Sequence, residues 1–265
     1  MLDLERLAET LGAQYSYYDG PEPDEEIDER LHPRWQDYLA TALRPGMQVL
    51  DIGCGNGATL LAHADMVAAG VGIDNDPDHV ARARTGCEES GAINLEFEQL
   101  EFDQLPSQPW ADRFDLAFSE RGPVGYSVGS VQTALTVIRP GGLLLTEVIG
   151  DLHHQEVREV FGGRRRQPVS VLDAVSVAFE RSGVDIRVAA DLISRRYYPN
   201  IYEWLKFQCS IWAWSGTPLP HPEDPRLELF ARRATDEHGR IATTHHVVVV
   251  GGAKLEDGSP YGRNA

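Results

Sequence analysis

The chain has 265 residues, 42% of them hydrophobic, which suits one large α/β domain with decoration or two small domains. Acidic residues outnumber basic ones 41 to 24, a net charge of −17; this disfavours a nucleic-acid partner, short of a local basic patch, and suits a neutral or cationic small molecule. No apolar run approaches the ~20 residues that span a bilayer, MLDLERLAET does not read as a signal peptide, and Cys54, Cys87 and Cys209 stand outside any C-x-x-C spacing, so a reducing compartment, the cytoplasm, is expected.

Leu2, Leu4, Leu7 and Leu11 recur at near-helical spacing, which predicts a helix over residues 2–13. Tyr15, Tyr17 and Tyr18 follow, either packed against the domain or forming a lid over a ligand. Pro21 to Glu29 reads as an acidic surface loop. Leu31, Trp35, Tyr38, Leu39 and Leu43 predict a second amphipathic helix, ended by Pro45-Gly46. Met47 to Ile52 is an apolar, β-branched strand. It runs into Gly53-Cys54-Gly55-Asn56-Gly57, and a helical pattern starts at Ala58. Strand, glycine turn and helix make the first unit of a nucleotide-binding α/β sheet. Glycine there permits unusual φ/ψ and close approach of a ligand to the backbone.

Gly53, Gly55 and Ala58 also satisfy the dinucleotide pattern G-x-G-x-x-G/A. Asp51 and Gly57 separate the two readings. The form D-x-G-x-G-x-G, from Asp51 to Gly57, resembles motif I of the class I S-adenosylmethionine (SAM)-dependent methyltransferases. The resemblance covers roughly residues 45–150. It implies that Asp51 orients the turn and the amino end of the cofactor, with Gly53, Cys54 and Gly55 close to it. Its cofactor is SAM, and its product is S-adenosylhomocysteine.

The next strand is predicted over Val67 to Asp74, followed by a helix from Pro77 through Arg84. Asp74, at the carboxyl end of that strand, can accept both ribose hydroxyls, with Asn75 beside it. Its alternative is a helix N-cap, a role that Asp76 can take instead. After a strand from Ile93 to Phe97, the run Glu98 to Pro106 resembles the family's acidic segment ending in Leu-Pro. The resemblance assigns the adenine amino group to Glu101 and a ring nitrogen to the backbone at Phe102. Glu98 or Asp103 takes the role if the register slips. Phe114 to Ser119 resembles the family's fourth strand, and Ser119 joins the cofactor set. Glu120 and Arg121 then face the reacting centre, to contact substrate or to pair with each other. The Asn/Asp-Pro-Pro-Tyr signature of some amino-group methyltransferases is absent.

A helix over 128–138 leads to Arg139-Pro140-Gly141-Gly142, a family hallmark read as a helix stop and chain reversal before the strand Leu143 to Val148. Residues 151–163 read as a helix carrying His153-His154, Arg164 to Arg166 as an exposed loop, Ser170 to Ser182 as a helix and Val184 to Ile193 as a strand. Residues 195–239 break the alternation with an aromatic helical insert that includes Tyr202, a candidate substrate lid whose aromatic stripe also suits plain packing. Ile241 to Val250 reads as the antiparallel last strand that distinguishes this sheet from the dinucleotide one. His245 and His246 alternate across that strand, and no metal constellation is visible.

The expectation is a Rossmann-like α/β fold: a seven-stranded, mostly parallel, doubly wound sheet with an antiparallel last strand. Residues 1–44 form an N-terminal helical cap, 45–194 and 240–254 the SAM-binding core, and 195–239 the insert. The expected activity is methyl transfer to a small-molecule acceptor that the sequence does not name, with Tyr15, Tyr18, Glu120, Arg121 and Tyr202 as substrate-side candidates. Tyrosine rings facing a sulfonium contribute about 0.5–2 kcal/mol. No catalytic group is identified. An oxygen acceptor needs a base, for which His153, His154 and Glu120 are candidates. The alternatives are a non-catalytic SAM-binding protein, an RNA methyltransferase and an NAD(P)-dependent oxidoreductase.

Overall fold

The computed structural model describes residues 2–15, 23–26, 34–163 and 169–256. Its elements, in chain order, are α1 (Leu4–Gly12), β1 (Asp24–Glu26), α2 (Trp35–Ala42), β2 (Gln48–Ile52), α3 (Ala58–Ala62), β3 (Ala69–Asp74), α4 (Pro77–Ser90), β4 (Leu95–Gln99), β5 (Phe114–Glu120), α5 (Val128–Leu135), β6 (Ile138–Ile149), α6 (Gln155–Phe161), α7 (Val171–Arg181), β7 (Val184–Tyr198), α8 (Ile201–Trp214), α9 (Pro225–Ala234) and β8 (Ile241–Lys254). Short 3-10 turns lie at Ala64–Met66 and Phe102–Ser107. The chain divides into two compact units. One holds Met1–His32, Leu152–Arg166 and Ile193–His246; the other holds Pro33–Asp151, Gln167–Leu192 and Val247–Ala265.

The strands run in the order β1-β7-β8-β6-β5-β2-β3-β4. Pairs β2/β3, β3/β4, β2/β5 and β5/β6 are parallel, and β6/β8 is antiparallel. Without β1, this is the expected seven-stranded mixed sheet with its antiparallel final strand. β1 is an addition, since part of the acidic stretch read as a loop pairs antiparallel with Arg195 to Tyr197.

In the second unit the sheet is buried on both faces, which explains why its strands read as nearly continuous apolar runs. Alternate residues feed opposite layers. Leu50, Ile52, Ala117, Val248 and Val250 join one core cluster, while Val49, Leu116, Phe118, Val247 and Val249 join the other. α4 is longer than its pattern suggested, running on to Ser90. Asp76 caps its start by accepting from the Asp78 N–H, and Gly91 ends it in a left-handed conformation. The Arg139-Pro140-Gly141-Gly142 run does not precede a strand as a chain reversal. It lies within β6 as a bulged entry, because Phe114 pairs with Ile138 but Leu116 pairs with Leu143, so five residues of β6 pass for two of β5.

The other unit has a core of its own. Leu7 and Leu11 from α1 join Trp204, Leu205 and Trp212 from α8 and Leu227 and Phe230 from α9. Trp204 stacks on Phe230 with ring centroids 4.1 Å apart. The aromatic stripe of the insert is therefore largely core packing, although Trp214 at the end of α8 is 82% exposed. No helix among the described residues is long and apolar enough to cross a membrane.

Candidate active site at the strand ends

The chemistry-bearing residues of the second unit gather at the carboxyl ends of β2, β3, β5 and β6, where open α/β sheets bind their ligands. The turn after β2 is held by its neighbour strand: the N–H groups of Gly53 and Cys54 both donate to the Ile73 carbonyl, at 2.8 and 2.9 Å. Gly57 starts α3 at φ +78°, and an added Cβ would stand 2.8 Å from the Phe97 ring and 2.9 Å from the Ala83 Cβ. At Gly53, φ +78°, a Cβ would meet Pro123 Cδ at 3.2 Å and Gly122 Cα at 3.3 Å. Glycine is required there for backbone conformation and for close approach of the β5 loop.

Asp74 joins this turn from β3. Its Oδ2 accepts from the Gly55 N–H at 2.9 Å and its Oδ1 from the Asp76 N–H at 3.0 Å, with His79 Nδ1 at 3.3 Å. A carboxylate offers about four lone-pair sites, so two backbone donors leave acceptor capacity for hydroxyls. Asp76 supplies the helix cap, which leaves the Asp74 carboxylate facing the turn. Asn75 Nδ2 donates to Glu101 Oε2 at 3.4 Å, which brings together two residues read from separate segments. Glu101 is exposed and precedes the 3-10 turn, while Phe102 is half-buried against the core.

Asp51 is 2% exposed. Burial raises its carboxyl well above the usual range, and the neighbouring Glu120 and Asp74 carboxylates push it the same way. A cation placed among these groups would relieve that cost. Cys54 is buried, which drives its thiol far above the ordinary value and makes it a packing residue rather than a nucleophile. Ser119 is fully buried, and its hydroxyl donates to the Ile52 carbonyl at 2.8 Å.

Glu120 and Arg121 do pair, at 3.0 Å. Arg121 also reaches Glu147, its Nε lying 3.5 Å from Oε1, and its backbone N–H donates to the Glu147 carbonyl at 2.7 Å. Glu147 and Thr59 escaped the sequence reading. The one signal available for Glu147 was its place on the strand beside Glu120, with which it is in register. Thr59, in the first turn of α3, gave no signal at all.

Tyr15 and Tyr202 belong to the other unit. Tyr15 packs there against the helical core, and burial raises its phenol. The Tyr202 hydroxyl accepts from the Asp3 N–H at 3.0 Å, and Arg6 lies over its ring at 4.0 Å, so this side chain ties α1 to α8. Tyr17, Tyr18 and Arg164 to Arg166 lie outside the described residues. His153 and His154 stack at 4.1 Å in that same unit, with His245 edge-on to His153 at 5.1 Å.

Residues 43–166 match the family model described as a methyltransferase domain. This stretch is a class I SAM-dependent methyltransferase domain. Among curated proteins, the chain is 30% identical over 116 residues to the ubiquinone biosynthesis O-methyltransferase of Acinetobacter baumannii (strain AYE), covering 42% of this chain and 47% of that protein. It is 31% identical over 91 residues to the 23S rRNA (uracil(1939)-C(5))-methyltransferase RlmD of Shewanella sp. (strain MR-4), covering 34% of this chain and 20% of that one. The chain thus spans less than half the length of these relatives. Among solved structures, the YcgJ protein of Bacillus subtilis superposes with a TM-score of 0.58 at 20% identity, covering 83% of this chain and 98% of that one, a likeness of fold.

Proposed function

We propose that the protein transfers a methyl group from SAM to a small-molecule acceptor. The observation that carries this reading is the Asp74 carboxylate held against the Gly55 N–H, beside a buried Asp51 whose charge is unfavourable without a cation nearby. SAM is a cation with a ribose and an amino-acid tail, and the residues at the strand ends fit each part. Asp74 would hold the ribose hydroxyls, while the turn from Gly53 to Gly55 would receive the amino-acid tail. Glu101 and the backbone at Phe102 would take the adenine, with Asn75 bracing Glu101. Asp51 would lie beneath the amino end, and Ser119 would fix the spacing of β2 and β5.

When bound, SAM supplies an electrophilic methyl group, and the protein's part is alignment and exclusion of water. Glycines at the turn admit the ligand to the backbone, and the acidic strand ends favour a positive charge. The antiparallel β6/β8 pair favours this reading over a dinucleotide enzyme. The net charge of −17 favours a small acceptor over RNA, as does the chemistry named for the ubiquinone-pathway relative.

Titration calorimetry with SAM, S-adenosylhomocysteine and NAD tests the proposal. Saturable heat is expected with the first two and none with NAD. Heat with NAD alone would overturn it. A panel of hydroxylated and amino small molecules, read by release of S-adenosylhomocysteine, then addresses the acceptor.

A further inference from the structure

Glu120 stands at the end of β5, where a proton acceptor for the reaction would be sought. Its carboxylate is committed elsewhere. Oε2 accepts from the Thr59 hydroxyl at 2.6 Å, and Oε1 accepts from Arg121 Nη2 at 3.0 Å. Thr59 lies in the first turn of α3, directly behind the glycine turn. Arg121 has φ +53°, a left-handed conformation uncommon for any residue but glycine, which the surrounding structure must hold in place. The constraint is visible: its N–H bonds the Glu147 carbonyl and its guanidinium spans Glu120 and Glu147.

That kink has a consequence for the cofactor turn. It reverses the chain so that Gly122 and Pro123 lie directly on Gly53. A Cβ at Gly122 would collide with Ser119 Oγ and come within 2.6 Å of the Ile52 carbonyl, and a Cβ at Gly53 would meet Pro123 at 3.2 Å. The Ser119 hydroxyl bonds that same Ile52 carbonyl at 2.8 Å. The segment from Ser119 to Pro123 is therefore welded to the turn on one side through Ser119 and Gly122, and to α3 on the other through Glu120 and Thr59.

We propose that Glu120 is a positioning residue for the cofactor turn, and not the proton acceptor of the reaction: the chain Thr59–Glu120–Arg121–Glu147 fixes where the glycine turn and α3 stand, and so sets affinity for the adenosyl ligand. This inference rests on the methyltransferase reading above, and it makes Thr59, a residue with no expected contact to the reacting atoms, a determinant of cofactor binding.

The test is titration calorimetry with S-adenosylhomocysteine, which needs no acceptor, on the full chain. The variants are Thr59→Val, Thr59→Ser, Glu120→Ala and Glu120→Gln, each with its melting temperature recorded without ligand. Thr59→Val keeps the shape and removes the donor, so Kd should rise about tenfold or more, as loss of a hydrogen bond to a charged group implies. Thr59→Ser keeps the donor and should stay within about twofold of the parent. Glu120→Ala should match or exceed the Thr59→Val loss, and Glu120→Gln, whose amide oxygen still accepts from Thr59, should recover part of it. A general base would behave in the opposite way, leaving product affinity untouched in all four. Unchanged Kd in Thr59→Val and Glu120→Ala, with the parent binding normally, overturns the inference. Kd values that track melting temperature across all four, Thr59→Ser included, also overturn it by reducing the effect to general destabilisation. A parent that does not bind S-adenosylhomocysteine overturns instead the methyltransferase reading on which the inference rests.

Discussion

Replacing Asp74 by alanine removes two kinds of interaction at once, and they can be measured apart. In the free protein the carboxylate holds the N–H groups of Gly55 and Asp76 at 2.9 and 3.0 Å. Hydrogen bonds to a charged group contribute roughly 1.5–3 kcal/mol each. Asp76 and Gly55 are both half-buried, so water replaces part of the loss, and the low end applies. The expected destabilisation is about 2–3 kcal/mol, read from urea denaturation as a lower midpoint at constant m-value. With ligand present, the proposed ribose contact would lose two further bonds. At about 1.5 kcal/mol each they amount to ~3 kcal/mol, on the order of a hundredfold rise in Kd for S-adenosylhomocysteine. Asp74→Asn is the informative companion. Its amide keeps one acceptor but presents an NH2 to one of the two backbone N–H groups, so about a tenfold loss is expected. The assay is calorimetric titration of each folded variant. An Asp74→Ala protein that remains folded and binds within twofold of the parent would refute the ribose assignment.

Gly57→Ala should cost about 2–4 kcal/mol in chemical denaturation, because alanine must take φ +78° and its methyl overlaps Phe97 and Ala83; a loss under ~0.5 kcal/mol would mean the turn relaxes freely. SAM affinity should strengthen as pH rises through the Asp51 titration, because a cation among Asp51, Glu120 and Asp74 favours the ionised carboxylate. Proton release on binding, seen as heat that varies with buffer ionisation enthalpy, checks this, and buffer-independent heat would contradict it. Burial, helped by His245 and Arg196 and opposed by Glu156, lowers His154 from 6.5 to about 3. Its folded value lies below the unfolded one, so its contribution to stability is complete above pH 6.5 and is lost as pH falls towards 3. The loss reaches roughly 2 kcal/mol at pH 5, and His154→Asn, which tolerates the left-handed φ of 49°, should flatten that slope in denaturation series between pH 7 and 4. An unchanged slope would assign the acid sensitivity to other groups.

The sequence by itself determined the sheet and the glycine turn after β2, because both rest on local rules. Strands buried on both faces must be largely apolar, as in Val49, Leu50 and Ile52 around the single carboxylate of Asp51, and in Val247 to Val250. A turn at φ near +78° must be glycine at Gly53 and Gly57. The pairing of Asp76 with the helix start, which leaves Asp74 for the turn, was legible for the same reason: capping is a contact between near neighbours. What only the tertiary structure decided depends on residues far apart in the chain. Thr59 meets Glu120, Asn75 meets Glu101, and the strained Arg121 leans on Glu147. β1 forms because Asp24 to Glu26 find an open edge on β7, a partner that an acidic stretch does not announce. The Arg139-Pro140-Gly141-Gly142 run looked like a turn by its residues, and became a bulge within β6 because β5 continued to pair on both sides of it. Local conformation is set by the backbone of a few successive residues; which carboxylate has spare acceptors is set by what the fold brings against it.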